Sequence, residues 1–148
     1  MRTGDLGFFL DGQLFIAGRL KDLIIIAGRN LHPHDIEMTA MNAHESIRPG
    51  GAAAFSLIDR PNEELAVIVE LDQSSHGEQD GQTTVEAGPF EAICAAIRRS
   101  VFEQHDVSPY RVVVASKSAI PRTSSGKVQR RACRALYAGG KLNICHEG

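Results

Sequence analysis

Two apolar runs separated by one polar dipeptide lie near the start of the chain: LGFFL, then Asp11-Gly12, then QLFIAGR. Asp-Gly readily takes the positive φ values of a two-residue turn, so the pattern predicts a β-hairpin. DLIIIAGRNLHPHDIE follows, with a β-branched run, a turn expected at Gly28-Arg29-Asn30, and a helix starting at Pro33. Proline suits a first helical turn, and Asp35 and Glu37 complement its positive end. GAAAFSLID and ELAVIVEL are nearly continuous apolar runs, predicted to be antiparallel strands joined by a turn at Arg60-Pro61-Asn62. Residues 72–88 are polar and without apolar period, which predicts a surface loop. From Pro89 to Gln104, Phe90, Ile93, Ile97 and Val101 recur at steps of three and four, the stripe of a helix buried on one side. YRVVVAS predicts another strand. A final helix is expected from Lys127 to Tyr137, with Val128, Ala132, Ala135 and Leu136 inward. The sum is an α+β domain: a central, mostly antiparallel sheet of about three strands flanked by helices, with β-hairpins on its N-terminal side.

Composition narrows the class. A chain of 148 residues with 43% apolar and 23% charged residues has the material for one globular domain, not for a disordered or fibrous chain. Its 16 Lys+Arg against 18 Asp+Glu give a formal charge of -2, so no global field draws it to nucleic acid or an anionic membrane. Cys94, Cys133 and Cys145 form no CxxC pair, which argues against both a disulfide framework and a zinc site. The longest apolar run, Leu23 to Ala27, is too short to span a bilayer, and no cleavable leader pattern is present. A soluble, cytoplasmic protein without a membrane span or nucleic-acid partner is expected.

The stretch PRTSSGKVQRRACR, Pro121 to Arg134, carries the most suggestive chemistry. It is not a P-loop, because Pro121 stands where that motif needs its first glycine. Thr123 to Gly126 nevertheless form a hydroxyl-rich loop suited to presenting Lys127 to an anionic group. Alternatively, Lys127 opens a helix whose arginines 130, 131 and 134 face water. His32, His34 and Asp35 lie close together, but no third ligand falls at metal spacing. No metal site is expected. Ser124 and Ser125 lack a nucleophile elbow.

Three segments taken together are more specific. TGDLG at Thr3–Gly7, GRLKDLIIIAGRNLHPHDIE at Gly18–Glu37 and PRTSSGKVQRRACR follow the order of three motifs of the acyl-adenylate-forming enzymes. That superfamily contains acyl-CoA synthetases, peptide-synthetase adenylation domains and luciferases. The chain resembles its C-terminal portion, and within the superfamily LKDLIIIAGRN, HPHDIE and PRTSSGKVQRRACR are most similar to fatty acyl-AMP ligases. The resemblance weakens over residues 72–88 and after Tyr137.

The resemblance implies a role for each matched residue. Residues 1–20 are expected to close a large N-terminal domain, and residues 21–148 to form a mobile C-terminal lid hinged at Lys21. Asp5 and Arg19 are implied at the ribose of ATP, and Lys127 as the catalytic lysine of adenylation. Gly28 and Arg29 are implied to face the acceptor pantetheine, although Gly28 also reads as an ordinary turn. Arg130, Arg131 and Arg134 are candidates for a carrier-protein contact or for a solvated face. Implied partners are the N-terminal adenylation domain, a fatty acid, ATP with Mg2+ held mainly by that domain, and an acyl carrier protein bearing phosphopantetheine. A lid with CoA as acceptor and a noncatalytic carrier- or phosphate-binding module are the alternatives. Without the larger domain the 148 residues are expected to be inactive. Ala27 and the LHPH at 31–34 depart from the family pattern beside the implied acceptor path.

Overall fold

The computed structural model describes residues 5–19, 23–57, 63–72 and 88–148. The turn expected at Arg60-Pro61-Asn62, nearly all of the loop at 72–88 and the hinge residue Lys21 lie outside them.

Strand β1 (Asp5–Leu10) pairs antiparallel with β2 (Gln13–Arg19). Between them, Asp11 and Gly12 take φ of 49° and 77°, as their dipeptide predicts. The same device recurs where the sequence hid it. β3 (Ile24–Ile26) and β4 (Arg29–Leu31) form a second hairpin whose turn is Ala27-Gly28, at φ 49° and 77°. Arg29 and Asn30, expected in the turn, are therefore strand residues. Alanine is a poor left-handed residue and masked the signal; glycine at 28 supplies the second positive φ at no steric cost.

Helix α1 (Pro33–Asn42) begins at the expected proline. β5 (Ile47–Leu57) and β6 (Glu64–Leu71) are antiparallel, and helix α2 (Gly88–His105) leads to β7 (Arg111–Ala115), which lies parallel to β6. Helix α3 (Arg130–Ala138) precedes β8 (Ile144–Glu147), an antiparallel edge strand beside β7. The central sheet has the order β5-β6-β7-β8, so it gains one strand over the expected three. β8 escapes pattern reading because Ile144 and Cys145 are exposed and no apolar alternation marks it.

Both faces of this sheet are covered, which is why β6 and β7 read as continuous apolar runs. Leu65, Val67, Val69, Val112 and Val114 face α1, α2 and the β3–β4 hairpin, meeting Ile24, Ile36, Ile93, Ile97 and Val101. Ala66, Ile68, Val113 and Ala115 face the other way, onto Ile120, Cys133 and Leu142. The α2 stripe is buried as predicted.

α3 differs from its prediction. It starts at Arg130, not Lys127, and Ala135 is exposed while Cys133, Leu136 and Tyr137 turn inward. The cause lies in the preceding loop, whose hydroxyl groups offer the backbone a competing set of hydrogen bonds.

Candidate functional site: the Lys127 loop

Residues Thr123 to Lys127 form a closed turn. Thr123 N–H donates to the Lys127 carbonyl at 2.8 Å, and Gly126 N–H to the Thr123 carbonyl at 2.9 Å. Lys127 N–H donates to Thr123 Oγ1 at 3.1 Å, and Arg122 and Val128 bridge antiparallel at its base. Gly126 has φ 85°, which glycine adopts without strain. Thr123 Oγ1 and Ser125 Oγ lie 2.9 Å apart within the turn. Ser125 thus contributes to the turn's internal bonding. Every residue from Thr123 to Lys127 is exposed, so the sequence's permissive loop is in fact a small, self-bonded hairpin with an exposed lysine at its end.

Two buried carboxylates hold the base of this hairpin. On its N-terminal side, Glu70 Oε1 accepts from Ile120 N–H at 2.8 Å. Glu70 Oε2 accepts from Arg122 at 3.3 Å and Arg48 at 3.2 Å. On the C-terminal side, Glu37 takes a two-pronged grip from Arg130: Nε to Oε1 at 2.6 Å and the terminal nitrogen to Oε2 at 2.7 Å. Glu37 Oε1 also accepts from Ala54 N–H at 3.0 Å, on the edge of β5 with which no described strand pairs. Glu70 is fully buried and Glu37 nearly so. A buried charge is costly unless ion pairs and hydrogen bonds satisfy it, and both are so satisfied.

Sequence reasoning missed these partners. One signal was available: Glu70 stands in register with Ala66 and Ile68, at an inward position of an otherwise apolar strand. Such a residue has to find a buried cation or donor. Cys133 lies at the same place, and burial, aided by the charges of Glu70 and Glu37, pushes its thiol up to about 12. A thiol held protonated is no nucleophile.

The other sequence-predicted residues are placed as follows. Asp5 and Arg19 are backbone register partners in the β1–β2 pair, at the end away from the Asp11-Gly12 turn. Gly28 is exposed at its hairpin tip, and Arg29 pairs with Asp106 beyond α2 at 2.6 Å, both side chains more than half exposed. Arg130 is not a solvated charge but the partner of Glu37; Arg131 is exposed and Arg134 half-buried on the same helix. His34 and Asp35 are exposed and His32 half-buried. Among the described residues, no group of three His, Cys, Asp or Glu is placed to hold a metal ion. No described helix is long and apolar enough to cross a membrane.

One spatial relation orders the whole. The Gly28 hairpin packs through Ile24 and Leu31 on the α1/α2 face of the sheet. The Lys127 hairpin packs through Ile120 and Val128 on the α3 face. The two candidate elements are thus carried on opposite faces of one sheet.

Residues 21–147 match the family described as Disco-interacting protein 2-like, AMP domain. A medium-chain-fatty-acid acyl-carrier-protein ligase, JamA, from Moorena producens is 43% identical over 143 residues, covering 97% of this chain and 23% of that protein. The long-chain-fatty-acid AMP ligase FadD32 of Mycolicibacterium smegmatis is 42% identical, covering 96% and 24%. A solved structure from work on fatty acyl-adenylate ligases from E. coli and L. pneumophila superposes with a TM-score of 0.72 at 31% identity, over 93% of this chain and 22% of that one. The chain therefore spans about a quarter of the length of these relatives.

Proposed function

The chain belongs to the Disco-interacting protein 2-like AMP-domain family, an adenylate-forming ligase domain related to fatty acyl-AMP ligases, and from that premise we propose that it is the lysine-bearing lid of a ligase that activates a fatty acid. The observation that carries this reading is the exposed Lys127 at the end of a braced hairpin, on the face of the sheet opposite the Gly28 turn.

In the first half-reaction a fatty-acid carboxylate oxygen attacks the α-phosphorus of MgATP. The bond from that phosphorus to the bridging oxygen breaks, and pyrophosphate leaves. Negative charge is redistributed around the phosphorus, and the Lys127 ammonium stabilises it. A positioned donor at such a site contributes about 3–4 kcal/mol, or roughly a hundred- to a thousandfold in rate. Asp5 and Arg19, paired in register, are suited to the ribose: a carboxylate accepts from the two hydroxyls and a guanidinium donates beside it. Lys21 is the hinge, and residues 1–20 belong to the larger domain. The exposed Phe8, Phe9, Leu10 and Leu14 on the β1–β2 hairpin are consistent with apolar surface meant for that domain.

In the second half-reaction the thiolate of a phosphopantetheine arm attacks the acyl carbon and AMP departs. Lys127 and Gly28 lie on opposite faces, so turning the domain removes one from the site and presents the other. Because the Lys127 hairpin is self-bonded and braced, the lysine withdraws with the whole domain rather than by flexing of its loop. Arg29, together with Arg131 and Arg134, offers cationic contacts to the pantetheine phosphate or to an acidic carrier protein.

The test uses the full-length protein that contains this chain. Lys127→Ala is expected to lower fatty-acid-dependent pyrophosphate release roughly a hundred- to a thousandfold, while acyl transfer from supplied acyl-AMP to a holo carrier protein persists. Presenting CoA beside the holo carrier identifies the acceptor, and rapid acyl-CoA formation would remove the carrier assignment.

A further inference from the structure

The tip of the Lys127 hairpin, Thr123 to Lys127, is exposed, and its apolar attachment is confined to Ile120 and Val128 at the base. Its orientation is set by what grips the residues on either side. Arg122, five positions before the lysine, is held by Glu70 at the end of β6, and Ile120 N–H is held by the same carboxylate. Arg130, three positions after it, is held by both oxygens of Glu37 on α1. The partners are 52 and 93 residues apart in sequence, so each grip ties the hairpin to a different part of the domain. A two-pronged guanidinium–carboxylate pair fixes direction as well as distance, which an apolar contact does not.

We propose that Glu37 and Glu70, through Arg130 and Arg122, are positioning residues for Lys127: a two-sided brace that holds the lysine hairpin at a fixed angle to the sheet for the adenylation half-reaction. The inference rests on the role given to Lys127 above. It assigns Arg130 to the brace rather than to carrier docking. A lysine displaced by about 1 Å from its reacting partner loses roughly a hundredfold in rate, so loosening one arm is expected to register in turnover without touching substrate binding. Gly28 and Arg29 are not among the groups that the brace joins; of its members only Glu37 stands on an element, α1, that packs on their face of the sheet.

The experiment compares Glu37→Gln, Arg130→Gln, Arg130→Lys and Arg122→Gln with the parent full-length protein in both half-reactions. Fatty-acid-dependent pyrophosphate release is expected to fall roughly ten- to a hundredfold in kcat. KM for ATP and fatty acid should stay nearly unchanged, as when an interaction made only in the transition state is weakened. Transfer from supplied acyl-AMP to the holo carrier protein should persist, which also shows that the domain in the same sample is folded. Arg130→Lys keeps the charge but loses the fork, and is expected to fall between the parent and Arg130→Gln. If Glu37→Gln lowers both half-reactions together, Arg130→Lys decides: loss confined to adenylation supports the brace, and unchanged adenylation overturns it. A raised KM for the carrier with intact adenylation in Arg130→Gln would also overturn it. Lys127→Ala in parallel separates the two levels. Should that variant still adenylate normally, the role of Lys127 itself fails; should it be inactive while all the brace variants are normal, only the present proposal fails.

Discussion

Replacing Glu70 by glutamine keeps the side-chain volume and removes the charge. In the native fold one oxygen accepts from Ile120 N–H, and the other accepts from Arg122 at 3.3 Å and Arg48 at 3.2 Å. The glutamine oxygen can still serve Ile120, but its NH2 group then faces two guanidinium donors. Each hydrogen bond to a charged group contributes about 1.5–3 kcal/mol. The arginine side chains are 37% and 24% exposed and regain water when released, which discounts each by about half. The expected cost is therefore about 1.5–3 kcal/mol. Glu70→Ala also strands the buried Ile120 N–H, adding about 1–3 kcal/mol. Urea unfolding of the chain, followed at constant m, reads both values. The order expected is Ala worse than Gln, and Gln clearly worse than the parent. A Glu70→Gln variant within about 0.5 kcal/mol of the parent, the spread of ordinary surface changes, would refute the claim that this carboxylate holds the loop.

Two further outcomes follow from the packing. Cys145 is exposed whereas Cys94 and Cys133 are buried, with Cys133 pushed up to about 12 and Cys94 raised by burial; alkylation at pH 8 with peptide mapping should label Cys145 alone in the folded chain, and prompt labelling of Cys133 would contradict its placement. Tyr137 is raised above the ordinary tyrosine range, first by burial and then by its hydrogen bond to Glu147 at 3.0 Å. The folded state then holds this proton more tightly than the unfolded one, so the stabilisation is complete below about pH 10 and is lost as pH rises through the folded value. Ultraviolet titration should show a late transition for Tyr137 that Glu147→Gln shifts downward; no shift would disconnect Tyr137 from Glu147.

How far the sequence discloses this molecule depends on the range of each interaction. The Asp11-Gly12 turn and the α2 stripe are local patterns and are legible at once. The Ala27-Gly28 turn is local too, but its alanine conceals the left-handed conformation. The start of α3 was misplaced because Thr123 Oγ1 satisfies the Lys127 N–H in a turn where a helix was expected. Lys127 itself is identified by resemblance to a family and not by any property of its neighbours. Its brace was invisible for a physical reason: Glu37 looks like a charge complementing the start of α1, and its arginine is 93 residues away. Only folding brings an interior carboxylate and that guanidinium together beside the edge of β5.

The role of Lys127 is decided by following the two half-reactions side by side in the full-length protein carrying Lys127→Ala. Pyrophosphate release driven by fatty acid should drop by roughly a hundred- to a thousandfold, while thioester formation from supplied acyl-AMP continues at the parent rate. Normal pyrophosphate release, or an equal loss in both steps, would contradict a lysine that acts at the α-phosphate and then leaves with its domain.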